Sequence, residues 1–466
     1  MKTVGPEYFG FNLENSEFQL SLWDGERQQV SPEVTAYLRQ HFAGAVYRYP
    51  GGTTSNYHRW PLSVGDLKSR KSVRINDWIE LPRIEFGVDE YLKFVQEAGG
   101  QAWYVLNIKG DIDKMAPIET LAGEAAGLVR HIAARQVPVV RWELGNELDR
   151  FHEKWPSQRY IDRAQTVMKA VRGVDGNARF VSMMADFDAQ SDLGISASQY
   201  NTAVARGLKG AGISEYAQHL YYDGPPDGPP VPNRLEHLCR SIGNARTAGI
   251  PPQQLRFWIT EHARWPEGDG DDWNKNWRLS ADLGASISFS DLVIASMHLP
   301  EVSGTGLHSI HGSTGPWPMF HRPEGASAFH PSVVMHTYAL LRSTLLPQVL
   351  ATRNISANPA GYDGGYSARG VVMTNAERSR YSAWTINRDD EALDVTLTVA
   401  SLAGKTLSAE LASIEAESDT VNNYDRQLIA GPARKPVELK FDAKGVARYT
   451  VPPYSISGLV FPAPMN

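Results

Sequence analysis

The sequence reads as an α/β chain, a (β/α)8 barrel followed by an antiparallel β-sandwich. Three observations predict this. Eight short β-rich runs alternate with eight helical patterns up to about residue 346. Beyond that point the helical patterns stop and period-two alternation takes over. The predicted barrel strands also end, one after another, in polar residues, and the C-terminal strand ends are where a barrel collects its function.

The predicted strands cover 8–14, 44–52, 102–110, 139–147, 179–185, 216–222, 255–263 and 303–312. Between them lie helical segments such as SPEVTAYLRQHF, VDEYLKFVQEAG and ETLAGEAAGLVRHIAARQ, with apolar residues spaced i, i+3, i+4. Several open after Ser or Asp with Pro or an acid close behind, a helix-start pattern. The eighth, PSVVMHTYALLRSTL, follows the last strand. An open doubly wound sheet is the alternative arrangement of the same units. We place the barrel at 1–346 and the sandwich at 347–466, where runs such as RYSAWTINR and ARYTVPPYSISGLVFP alternate between turn residues. The sandwich is expected to brace the barrel. Trp384 is the only tryptophan after residue 346, and it sits in an alternating strand that suggests core packing.

Composition narrows the function. A chain of 466 residues buries a large core without covalent staples. Its single cysteine, Cys239, excludes an internal disulfide and a cysteine-based zinc site, and within LEHLCRSI it reads as a small buried hydrophobe. A net charge of -6, with both signs mixed along the chain, argues against a nucleic-acid or anionic-membrane partner. No apolar run approaches the ~18 residues of a membrane span. MKTVGPEYFG lacks the apolar core of a secretion signal, which leaves a cytoplasmic protein or one whose leader has been removed.

The strand ends carry the chemistry. The first ends in Asn12 and Glu14, the second in Arg48 before PGG, and the third in Asn107 and Lys109. The fourth ends in Asn146 and Glu147, the sixth carries His219 and Tyr221, the seventh ends in Glu261 and His262, and the eighth carries His308 and His311. Two glutamates delivered by buried-looking strands to one barrel mouth suit glycoside cleavage. That reaction needs one carboxyl that holds a proton for the departing oxygen and one that stays ionised beside the anomeric carbon. Trp60, Trp265, Trp273, Trp277 and Trp317 lie among Gly, Pro, Asp and Asn, as loop aromatics that stack on sugars do. There is no HExxH, Walker motif, strand-borne GxGxxG or GxSxG elbow, and the two strand-eight histidines lack an evident acidic partner. No metal and no cofactor are expected.

At these residues the chain resembles the clan of retaining (β/α)8 glycosidases whose glutamates sit on strands four and seven. Within it, FGFNLE, YRYPGG, VDEYLKFVQEAGGQAWYVLNI, RWELGNELD, HLYY and a terminal PPYSISGLV resemble the α-L-arabinofuranosidases of glycoside hydrolase family 51. The resemblance spans about residues 8–462. It implies that Glu147, preceded by Asn146, is the acid/base and that Glu261 is the nucleophile. It further implies that Glu14 accepts a sugar hydroxyl, that Arg48 orients the nucleophile side and that Tyr221 hydrogen-bonds the nucleophile. The expected partner is an oligosaccharide or polysaccharide.

Three departures bear on the substrate. Thr53 follows RYPGG where the family usually has Asn, Thr260 and His262 flank Glu261 where it has Asp and Trp, and GLHSIHGSTGPW has no family counterpart. Thr53, Asn107, His219, His308, His311 and Trp317 are therefore candidate substrate contacts beside the family set. Lys109, Arg150 and the two strand-eight histidines, His308 and His311, would suit an anionic sugar, although Arg150 reads by default as a solvated surface charge. An α-L-arabinofuranoside is the first substrate. A β-linked uronide or xyloside, a transglycosylase and a non-catalytic carbohydrate-binding barrel are the alternatives. Linkage, exo or endo action and oligomeric state stay open.

Overall fold

The computed structural model describes residues 2–74, 79–150, 153–185, 194–224, 229–266, 276–312, 315–352 and 366–463, so Trp273 lies outside the described residues. Eight parallel strands close into a barrel: β1 (Phe9–Asn12), β2 (Val46–Tyr49), β3 (Gln101–Leu106), β4 (Val139–Leu144), β5 (Phe180–Met183), β6 (Glu215–Tyr222), β7 (Arg256–Arg264) and β8 (Val302–Leu307). β8 pairs with β1 to complete the ring, with Thr305 opposite Phe9. Every strand falls inside or within a residue of its expected run. The expected ends overshoot, because Glu14, Asn107, Asn146 and Glu147 sit in the loops just past their strands.

Strand alternation decides what fills the barrel. In RWEL, Arg141 and Glu143 point inward while Trp142 and Leu144 join the outer core against the helices. The floor is a cluster of Val46, Trp103, Val181, Ala217 and Trp258. The two indoles meet edge to face, with centroids 5.3 Å apart. Each indole N–H must find an acceptor when buried. Trp258 donates downward to Glu215 at 2.9 Å, and Trp103 donates upward to Glu143 at 2.8 Å. The barrel is therefore plugged below and polar above, and substrate has only the upper face to enter.

The C-terminal region forms a seven-stranded antiparallel sheet. One face, with Tyr381, Leu411, Leu459 and Phe461, packs under the two-stranded ribbon of Leu393–Thr398 and Val446–Val451. The other face, with Trp384, Ile386, Ile414 and Ile456, is continuous with the barrel core. Trp384 is fully buried and donates its indole N–H to Thr344 Oγ1 at 2.8 Å. Lys2–Thr3 forms the outer strand of this sheet, against Gln348–Val349. Arg388 adds buried ion pairs to Asp223 and Asp291, each at 3.1 Å.

One expectation needs correction here. Cys239 is exposed: Leu238 and Ile242 take the inward face of the helix Val231–Thr247, which turns residue 239 outward. The segment Asn15–Leu22, for which the sequence set no expectation, is a helix directly after β1, short and weakly patterned but anchored by Phe18 and Leu22. Of the loop tryptophans, Trp60 donates to the Glu124 carbonyl and Trp277 is buried against Tyr424, so both serve packing. Among the described residues no helix is long and apolar enough to cross a membrane.

The shared core predicts that the barrel does not fold alone. A chain cut after residue 346 should be insoluble or poorly folded, and Trp384→Ala should lose about 3–5 kcal/mol in a denaturant titration. A soluble, cooperatively folding 1–346 fragment would contradict this.

Candidate active site

The upper face is organised by one buried arginine. Arg48, on β2, is 2% exposed and spends its donors on four residues. Its Nε and Nη2 grip Glu143 at 2.7 and 2.9 Å. Its Nη1 donates to Asn12 Oδ1 and Glu261 Oε1, both at 2.7 Å, and Nη2 also donates to Asn146 Oδ1 at 2.7 Å. Strands β1, β2, β4 and β7 are thereby tied together at the level of the mouth. The planar fork of arginine permits this and an ammonium does not.

Glu261 is the best-held of the carboxylates. Besides Arg48 it accepts from the Tyr221 hydroxyl at 2.9 Å, and His219 Nδ1 lies 3.5 Å away. Burial by itself would raise its pKa, but His219, Arg48 and the Tyr221 hydrogen bond outweigh burial and hold the group below the usual carboxylate range. It is a pre-ionised carboxylate in a dry site.

Glu147 is held differently. The chain turns sharply after β4, and Glu147 itself has φ 47°, a left-handed conformation uncommon for a non-glycine residue. Its carboxylate takes His219 Nδ1 at 2.6 Å, and Arg150 pairs with the same oxygen. Arg150 is not a solvated surface charge. It is 6% exposed because the turn folds it back over Glu147. One oxygen of Glu147 and one of Glu261 lie within 4.8 Å of each other, with His219 between them. Burial acts to lower the His219 pKa, but the two carboxylates overcome it and raise it.

Asn146 is fixed from behind. Its backbone N–H donates to Asn56 Oδ1 at 3.0 Å, and its carbonyl accepts from Asn56 Nδ2 at 2.6 Å. Its own Nδ2 is buried and finds no partner among the described residues, a donor that a ligand hydroxyl would satisfy. Glu14 accepts from Thr54 Oγ1 at 2.8 Å. Burial and the adjacent Glu17 push the Glu14 carboxyl well above its ordinary range. The glycine pair after Pro50 makes this closeness possible. Gly52 has φ 56°, and a Cβ there would lie 2.4 Å from Glu14 Oε2.

The other expected contacts divide. His308 reaches the site. Asn12 Oδ1 is taken by Arg48, so Asn12 Nδ2 donates to His308 Nδ1 at 2.6 Å and the ring presents an Nε2–H donor. Trp317 packs on both His308 and Tyr221, with centroids 4.9 and 5.1 Å away, and Trp265 joins Tyr221 at 5.5 Å. His311 is fully buried, 2.8 Å from the Pro316 carbonyl. Asn107 caps its own turn through Lys109 and Gly110. Lys109 is engaged by Glu153 at 3.0 Å. Thr53 is half-buried, and its neighbour Thr54 is the residue that holds Glu14.

Glu143, Asn56, Glu17 and Thr54 were missed. A signal existed for Glu143: a lone acid in an apolar strand, on its inward parity, needs a buried cation. Asn56, Glu17 and Thr54 sit in loops or on a short helix and meet their partners only through the fold. Two triplets, Glu14/Glu17/His308 and Glu147/His219/Glu261, bring ligand-type atoms within 4.8 Å. In both, the histidine Nδ1 already serves a neighbour, as an acceptor from Asn12 or a donor to Glu147.

Comparison with known proteins agrees with this fold. The fold matches an α-L-arabinofuranosidase of glycoside hydrolase family 51 from Thermotoga petrophila, with a TM-score of 0.76 and 15% identity over 99% of this chain and 97% of that one. The chain has the fold of the family 51 arabinofuranosidases. A Xanthomonas axonopodis family 51 arabinofuranosidase superposes at TM-score 0.77 and 16% identity, covering 98% of this chain and 97% of the other. In sequence, a probable α-L-arabinofuranosidase C of Aspergillus niger is 26% identical over 230 residues, which is 45% of this chain and 45% of that protein. The chain thus matches under half the length of this curated relative. No protein-family model matches the chain.

The Arg48 network yields a stability prediction. Arg48→Met takes the cation from two buried carboxylates, leaving Glu143 with the Trp103 N–H and Glu261 with His219 and Tyr221, and breaking a buried pair amounts to about 3–5 kcal/mol. Urea unfolding of the purified variant at neutral pH measures it. A change below about 1 kcal/mol would mean that the carboxylates find other partners.

Proposed function

We propose that the protein is a retaining glycoside hydrolase acting on α-L-arabinofuranosides, with Glu261 as nucleophile and Glu147 as acid/base. The observation that carries the reading is the pair itself: two carboxylates within 4.8 Å at the mouth of the barrel, in unlike surroundings. Retaining enzymes hold the pair roughly 5–5.5 Å apart, whereas inversion needs about 6.5–9.5 Å to admit a water.

The chemistry follows from the surroundings. Glu261 attacks the anomeric carbon while Glu147 gives its proton to the departing oxygen. Attack consumes the charge of Glu261, and Arg48 and Tyr221 release its oxygens as the glycosyl bond forms. Glu147, now a carboxylate, takes a proton from the water that displaces Glu261 and restores the starting state. The Asn146 amide and Glu14 are placed to bind glycone hydroxyls, and the Trp265–Trp317–Tyr221 cluster offers an apolar wall for a ring face.

The arabinofuranoside assignment draws on the fold neighbours, one of which is titled an arabinose complex from Thermotoga maritima. A uronide keeps only His308 of the four residues that would suit it, because Lys109 is committed to Glu153, Arg150 to Glu147 and His311 to the Pro316 carbonyl. Glu14 in the first loop and Glu17 on the helix after it add no cation for a sugar carboxylate.

A nitrophenyl glycoside series tests the substrate: arabinofuranoside should be cleaved, glucuronide and xyloside poorly or not at all. Glu147→Ala should still be glycosylated by good leaving groups, and azide should restore its turnover as a glycosyl azide of retained configuration. Near wild-type hydrolysis of an unactivated disaccharide by this variant would refute the role of Glu147. Because Arg48 and Tyr221 both favour the ionised form of Glu261, Tyr221→Phe should raise its pKa and move the acidic limb of kcat/KM upward in pH. An unmoved limb would detach Tyr221 from Glu261.

A further inference from the structure

We propose that Arg150 is a positioning residue that anchors one oxygen of Glu147 and leaves the other to exchange the proton. The inference rests on the assignment of Glu147 as acid/base and concerns how that residue is held. The turn 147–150 is closed by the Arg150 N–H donating to the Glu147 carbonyl at 3.3 Å. It is pinned by Leu148, which is fully buried and whose N–H meets Met183 Sδ at 3.3 Å. This turn brings the Arg150 guanidinium onto Glu147 Oε1, the same oxygen that His219 Nδ1 reaches from β6. The described residues place no donor on Oε2. The two oxygens therefore have separate tasks. Oε1 is anchored, and Oε2 is left to carry the proton to the leaving oxygen and later to take one from water.

Electrostatics gives the direction. The charged or titratable groups facing Glu147 are Arg150 from its own turn, His219 and Tyr221 from β6, Glu261 from β7 and Glu14 from the first loop. Glu261 and Glu14 bring further carboxyl groups to Glu147, while Arg150 and His219 bring the donors. A buried guanidinium in contact lowers a carboxyl pKa by one to three units in ordinary cases. Arg150 thus offsets the two neighbouring carboxylates.

The test is the pH dependence of nitrophenyl arabinofuranoside hydrolysis by the full chain. Arg150→Met and Arg150→Gln should move the basic limb of kcat/KM upward by about one unit or more, with KM little changed. Arg150→Lys, which keeps a cation, should leave the limb near its wild-type position. A limb that stays put in both the Met and Gln variants overturns the inference. The limb belongs to the folded fraction, so it is read from whichever of the two remains soluble. Glu147→Gln separates this result from failure of the underlying assignment. If the wild-type basic limb persists in Glu147→Gln, then Glu147 is not the acid/base. If the limb is abolished there but unmoved in the Arg150 variants, only the role of Arg150 falls.

Discussion

Everything at the barrel mouth depends on a guanidinium that cannot lose its proton. Arg48 is a permanent cation buried at 2% exposure, and around it stand Glu143, Glu261, Asn12 and Asn146. A buried charge is tolerated only when its partners satisfy it, and five hydrogen bonds do so here. The consequence is positional. Four strands contribute to one rigid polar layer directly above the Trp103–Trp258 floor, so Glu261, and through Asn146 the turn that bears Glu147, inherit the rigidity of the sheet. Loops alone would not hold two glutamates at a fixed spacing to the precision that in-line displacement requires.

The two glutamates make a second point about environment. Both are glutamates near strand ends, yet one is surrounded by donors from two strands and the other hangs from a strained turn with one oxygen anchored. The site distinguishes them by neighbours, since their chemistry is the same. His219 sits between them, and its charge follows theirs. Any change in the ionisation of one carboxylate is felt by the other through this ring.

Much of this was legible in the chain. The strand and helix alternation set the barrel, because a βαβ unit writes its periodicity locally. The seven polar strand ends pointed to the mouth, because barrel strands deliver their C-termini to one face. Glu147, Glu261, Arg48 and Tyr221 could be named because each follows a buried run on a strand. Residues that act across the fold were not legible. Thr54 meets Glu14 from another loop, Asn56 braces the Asn146 backbone, and Arg150 reverses from surface charge to buried ligand because of a turn whose φ no pattern announces. Asn107 and His311 show the converse: polar residues at strand ends that satisfy the backbone of their own loops.

The seam of the barrel has a consequence for how the chain reaches this state. Thr305 Oγ1 meets the Tyr8 carbonyl across 297 residues, and the Lys2 ammonium caps carbonyls at the end of a helix 294 residues away. Lys2–Thr3 then joins a sheet whose other strands all lie beyond residue 347. These are contacts of extreme sequence separation, and their loop-closure entropy must be met before they return anything. During synthesis, the first strand has no partner on its β8 side until most of the chain has emerged. Its apolar residues Phe9 and Phe11 wait through that interval, so the slow, aggregation-exposed step of folding is the closure of the ring.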